Sequence, residues 1–274
     1  MQFCVVGTGR CGSTFLKNVF NLHPDIFVFN ETHWIPKMYE MFGTGNARPE
    51  DLARILLNTY HITGELVTQI DKEQIFDLFE GKPEVTVSEF CNTIGLAFAR
   101  NEGKQYWADK TPDYGPWISV IQRLWPECKI IHLIRHGAAT AVSMSRHLGY
   151  KWLVSAREDS WTPAAFNKYY DAVPLRERPM EAFSALWFRR LQRIRNEGQL
   201  LKENTYREFH LESFATEPEQ TLKSMAEFVN LTSPDSWIEQ SMKILNVKLI
   251  NKATPALDFM GERELRLLHE LGYQ

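Results

Sequence analysis

The chain has few cysteines, no long apolar run and no surplus of positive charge. Its four cysteines, Cys4, Cys11, Cys91 and Cys128, form no C-x-x-C pair and no Cys/His cluster at zinc spacing. That pattern argues against a disulfide framework and a zinc site, and it reads as reduced thiols in a reducing compartment. No stretch approaches the ~18 apolar residues that a membrane span needs. The apolar start, residues 3–6, reaches glycine too soon to be the h-region of a signal peptide. These absences predict a soluble, cytoplasmic protein with no membrane partner. Asn230-Leu231-Thr232 fits the glycosylation pattern, which has meaning only in a secreted chain. Lysine and arginine total 31 against 34 aspartates and glutamates, a net charge of −3. A general polyanion binder carries a basic excess, so nucleic acid is not an expected partner. Local basic groups remain free to hold a small anion.

What is present is ordinary globular usage, 44% hydrophobic and 24% charged over 274 residues. That length suits one α/β domain, residues 1–274, with insertions. Residues 2–6 and 26–29 read as short strands, 106–109 as a strand end, 129–134 (KIIHLI) as a strong strand and 205–211 as a further one. Helices are predicted over 13–22, 116–124, 138–148, 180–202, 218–229 and 262–271. Between about 45 and 105 the periodicity is mostly helical, over 49–60, 71–79 and 89–100, which suggests a helical insertion. A polar, aromatic loop is expected near 150–178. Strands alternating with helices predict a parallel sheet flanked by helices.

Gly7-Thr8-Gly9-Arg10-Cys11-Gly12-Ser13-Thr14 follows the first strand and opens a helix. Gly7 and Gly12 have P-loop spacing. Such a loop turns backbone N–H groups inward, and the helix N-terminus adds positive potential, so a phosphate is favoured there. Ser13 and Thr14 can donate hydroxyl bonds to the same oxygens. The loop departs from that of a nucleotide triphosphatase. Ser13 stands where the P-loop lysine would be, and Arg10 precedes the second glycine. No apolar strand ends in an aspartate placed to hold Mg²⁺, which a triphosphate site needs. A phosphotransferase or nucleotide switch is therefore the weaker alternative. KIIHLI ends instead in Arg135, at the strand edge where open α/β sheets bind ligands. Ser143 follows eight residues later. A planar guanidinium and a hydroxyl suit a second phosphate, separate from the first.

With both sites in hand, the chain resembles the sulfotransferases that use 3′-phosphoadenosine 5′-phosphosulfate (PAPS). GTGRCGSTFL and LIRHGAATAVS are similar to that family's two phosphate motifs. LHPDIFVFNETHWIP resembles a stretch of the tyrosylprotein sulfotransferases, WADKTP the element before the 3′-phosphate strand, HLESFATEPEQTL a later segment and LLHELGY the C-terminal helix. The resemblance implies that Arg10, Cys11, Gly12, Ser13 and Thr14 hold the 5′-phosphosulfate, and that Arg135 and Ser143 hold the 3′-phosphate. It further implies that Glu31 is the general base, with His33 as its rival, and that Arg10 and Lys110 meet charge on the leaving oxygen. PAPS is then the co-substrate and 3′-phosphoadenosine 5′-phosphate (PAP) the product, with no metal. Partial burial would raise the Glu31 pKa toward that of a working base. Leu211 and His136 stand where the family often has Tyr and Asp, and Arg146 is one residue out of register with a basic contact. Lys252 corresponds to a lysine that closes over the cofactor. Trp34, Trp117 and Trp152 either line an acceptor pocket or pack the core. The acceptor is a small molecule or natural product, with peptide tyrosine as the alternative. A PAPS-binding module without chemistry is the remaining one.

Overall fold

A computed structural model describes residues 1–60, 68–160, 175, 177–246, 250 and 255–273. Every residue of the first strand, β1 (Phe3–Gly7), is buried. A strand of this kind, apolar on both faces, belongs in the middle of a parallel sheet covered on both sides. The sheet order is β2-β5-β1-β6-β7, with β2 at Ile26–Asn30, β5 at Tyr106–Lys110, β6 at Lys129–Ile134 and β7 at Tyr206–His210, and all four pairings are parallel. Alternation along β1 sends Cys4 and Val6 into one core and Phe3 and Val5 into another. The first core is covered by α2 (Trp34–Phe42), α3 (Pro49–Leu57), α5 (Val87–Asn101) and α6 (Ile118–Leu124). The second includes residues of α1 (Ser13–Asn21) and of the later helices. A third cluster gathers α7 (Gly137–Ser145), α8 (Leu148–Ala156) and α9 (Met180–Gly198) around Ile134.

The insertion is helical as expected, with α4 at Lys72–Leu78 between α3 and α5. A two-residue antiparallel ribbon, β3 (Asn46–Ala47) on β4 (Val85–Thr86), joins its ends. Thr86 and Glu89 then cap α5 reciprocally, Glu89 N–H to Thr86 Oγ1 at 3.2 Å and Thr86 N–H to Glu89 Oε2 at 2.8 Å.

Three elements differ from the sequence expectation. Residues 106–109 are the core of a full strand, β5, inserted between β1 and β2. Its closing Asp109 and Lys110 are charged, a poor strand signal, yet both are fully buried. Residues 150–156, expected as loop, belong to α8, and the remainder of that loop lies mostly outside the described residues. A helix also follows Glu31 at once: α2 carries Pro36 in its first turn, where the missing N–H costs nothing. Among the described residues, no helix is long and apolar enough to cross a membrane.

Candidate active site

The loop after β1 turns through left-handed conformations at Gly9 (φ 77°), Arg10 (φ 54°) and Gly12 (φ 92°). Two of these positions have no room for a side chain. A Cβ on Gly9 would lie 1.5 Å from Tyr150 Oη, and one on Gly12 would lie 2.6 Å from Leu211 Cδ1. Gly12 is the N-cap of α1 and no side chain caps that helix, so its first-turn N–H groups are left for an anion. Cys11 is buried beneath the loop, where burial pushes its thiol pKa up. It can contribute only its backbone. Ser13 is buried and Thr14 exposed.

Residues expected at the two phosphate sites touch one another. Arg135 Nη1 donates to the Arg10 carbonyl at 3.1 Å, and Arg10 Nε donates to Ser143 Oγ at 3.1 Å. The result is one cationic rim running from the P-loop to α7. Behind it, the His136 N–H and the Tyr273 hydroxyl both donate to the Glu212 carboxylate, at 2.9 and 2.8 Å. Leu211 packs on Gly12. His147 stays near this rim, and burial first and then the Arg10 charge lower its pKa. Arg146 is exposed at the end of α7, and Lys252 lies outside the described residues. Tyr150, Glu212 and Tyr273 escaped the sequence reading because their link to the loop comes only from tertiary packing.

The remaining charges stand at the ends of β2 and β5. These strands pair in parallel with Asn30 opposite Lys110, and the Glu31 N–H donates to the Lys110 carbonyl at 2.8 Å. Lys110 is fully buried, and its Nζ donates to Glu31 Oε1 at 2.6 Å. His33 Nε2 stands 4.0 Å from Glu31 Oε2. Burial pushes the Glu31 carboxyl up, but the neighbouring His33 and the charge and hydrogen bond of Lys110 outweigh it. They hold the group well below the usual carboxylate range. The net rise expected from burial therefore does not occur: the carboxylate is tightly paired. β5 also carries an aspartate beside the P-loop strand, with Asp109 in register with Cys4. Its two oxygens accept the hydroxyls of Thr32 and Thr111 at 2.6 Å each.

Trp34 is fully buried with its Nε1 donating to Thr68 Oγ1 at 3.1 Å, Trp152 is buried, and Trp117 is half-buried against the first core. Packing accounts for all three. Among the described residues, no group of three or more His, Cys, Asp or Glu side chains could hold a metal.

The sequence profile of the sulfotransferase family matches residues 2–235. The chain belongs to that family and is a transferase of sulfuryl groups. The sulfotransferase domain from the curacin biosynthetic pathway is similar to it, with a TM-score of 0.61 and 16% identity over 99% of this chain and 97% of that one. The sulfotransferase domain from the Synechococcus PCC 7002 olefin synthase follows at 0.54 and 15%, covering 99% and 94%. A sulfotransferase from Alicyclobacillus acidocaldarius gives 0.50 and 16%, covering 100% and 96%. At these identities the likeness is one of fold. No curated protein matches the chain.

Proposed function

We propose that the chain, acting as one catalytic unit, moves a sulfuryl group from PAPS to a hydroxyl or amine of a small-molecule or natural-product acceptor. The observation that carries this reading is the buried Lys110 paired to Glu31 beside a P-loop that touches Arg135 and Ser143. The rim fits a donor with two separated anionic groups. Arg10, Lys110 and the amides of residues 11–14 suit the phosphosulfate end, and Arg135 and Ser143 the 3′-phosphate. Three cationic side chains supply there the positive charge that a metal supplies at a triphosphate.

In the reaction the acceptor oxygen or nitrogen forms a bond to sulfur. The bond between sulfur and the 5′-phosphate oxygen breaks, and its electron pair stays on that oxygen. Lys110 and Arg10 meet the developing charge. Glu31 takes the acceptor proton. The low pKa of Glu31 makes it a weak base while Lys110 is paired to it. Anionic oxygens at the loop compete for Lys110, and a Glu31 released from that partner becomes a stronger base. Binding the donor thereby turns the base on.

Two relatives by fold are domains of natural-product and olefin-synthase systems, which supports a small acceptor. Protein-tyrosine sulfation is favoured only by the similarity around residues 22–36. Incubation with isotopically labelled PAPS and a panel of phenols, alcohols, amines and tyrosine peptides is expected to label a small acceptor. Labelling of peptides alone would replace the acceptor assignment, and PAP binding with no transfer would reduce the chain to a binding module. In the same assay series Arg135→Ala is expected to weaken PAP binding by about 2–4 kcal/mol, roughly 30- to 1,000-fold. Calorimetry measures this, and unchanged affinity contradicts the role of Arg135.

A further inference from the structure

The turn carrying Glu31 is held in place by four buried side chains. Thr32, Asp109 and Thr111 are 0% exposed and Tyr114 is 1% exposed. Thr32 Oγ1 donates to Asp109 Oδ2 and Thr111 Oγ1 donates to Asp109 Oδ1, both at 2.6 Å. The Thr32 N–H donates to Thr111 Oγ1 at 3.0 Å. A threonine hydroxyl has one hydrogen, and that of Thr32 is committed to the carboxylate. Its 2.7 Å contact with Tyr114 is therefore a bond donated by the Tyr114 hydroxyl. Tyr114 Oη in turn accepts the N–H of Ile35 in the first turn of α2 at 3.3 Å. The direction of every hydrogen in this chain is set at one end by the two oxygens of Asp109.

The network spans a strained segment. Glu31 and His33 both sit at φ 56°, in the left-handed region that non-glycine residues occupy only where the surroundings hold them. Thr32 lies between them. Its N–H and its hydroxyl are both tied to the end of β5, and Tyr114 ties the same hydroxyl to α2. The fold also keeps a charge where a neutral group would be easier to bury, since burial pushes the Asp109 carboxyl up to about 6. An all-apolar plug would fill the space without fixing any direction.

We infer that Asp109 and Thr32 are positioning residues for sulfuryl transfer: the buried carboxylate, acting through the Thr32 hydroxyl, fixes the left-handed turn that aims Glu31 at the acceptor. This rests on the reading of Glu31 as the base. Thr32→Val keeps the shape and the β-branch and removes only the hydroxyl. A small loss of aim costs turnover without touching the nucleotide rim, so kcat is expected to fall roughly 10- to 100-fold while PAP affinity and the KM for PAPS stay unchanged. Thr32→Ser returns most of the lost turnover. A filler role would give the opposite ranking, because serine leaves a void that valine does not. Adding Thr32→Val to Glu31→Gln has no further effect on the residual rate.

The outcomes separate the two ideas. Wild-type kcat in Thr32→Val, with Glu31→Gln inactive, overturns the positioning role and leaves the base assignment intact. Wild-type kcat in Glu31→Gln removes the base assignment and this inference with it. A further loss in the double variant overturns the claim that Thr32 acts through Glu31. Should Thr32→Val not fold, Tyr114→Phe leaves Asp109 held by both threonines and gives a smaller fall in kcat with the same unchanged KM. A wild-type kcat there also counts against the network.

Discussion

Glu31→Gln is expected to lower kcat by about 10²- to 10⁴-fold, the range for loss of a positioned proton acceptor. PAP affinity, measured by calorimetry, stays close to that of the wild type. The amide keeps the size of the side chain and still accepts a bond from Lys110, so the local geometry at the ends of β2 and β5 has little reason to change. What it cannot do is accept a proton. The cationic rim of Arg10, Arg135 and Ser143 follows β1 and β6 and reaches α7, and none of its contacts involves Glu31. A variant with wild-type turnover would remove Glu31 from the chemistry and shift attention to His33, which stands 4.0 Å from it.

Lys110→Met is expected to reduce kcat by about 10²- to 10³-fold, the usual effect of deleting one donor to a developing oxyanion. It carries a second signature in pH. Lys110 is one of the groups holding the Glu31 pKa down, so its removal lets that pKa rise. The residual activity then falls off at a higher pH on the acid side than the wild-type activity does. Stability responds with the sign of a depressed carboxylate. In the wild type the ion pair stabilises the fold above the ordinary glutamate value of 4.5 and is lost as the pH falls toward the depressed folded value. Acid unfolding followed by circular dichroism should show a shallower loss in Lys110→Met, which has less of this contribution to lose. An unchanged acid limb in both measurements would mean that the pair seen here does not govern Glu31.

The P-loop and the strand-end arginine were legible because each is local. A buried strand, a Gly-x-x-x-x-Gly turn and a helix start sit within fourteen residues, and KIIHLI runs straight into Arg135. Glu31 and Lys110 were legible only as a resemblance. Their pairing depends on β2 and β5 being neighbours, a relation between residues 79 apart that no window of sequence contains. Charge shortened β5, read only as a strand end, since a strand closing in Asp-Lys gives a weak apolar signal until its partners are known. The contact between Arg10 and Ser143 was hidden for a similar reason. Arg10 and Ser143 lie on different elements, and only the β1–β6 ladder brings them together.

The placement of β5 also bears on how the protein is made. β1 and β2 leave the ribosome before β5, but they are not ladder partners; the strand that joins them begins only at Tyr106. Until then a growing chain holds two apolar strands with open edges, the situation that chaperones shield and that favours aggregation. Truncated products ending before Lys110 should be insoluble, and sulfuryl donor cannot be gripped until the middle of the sheet has been filled.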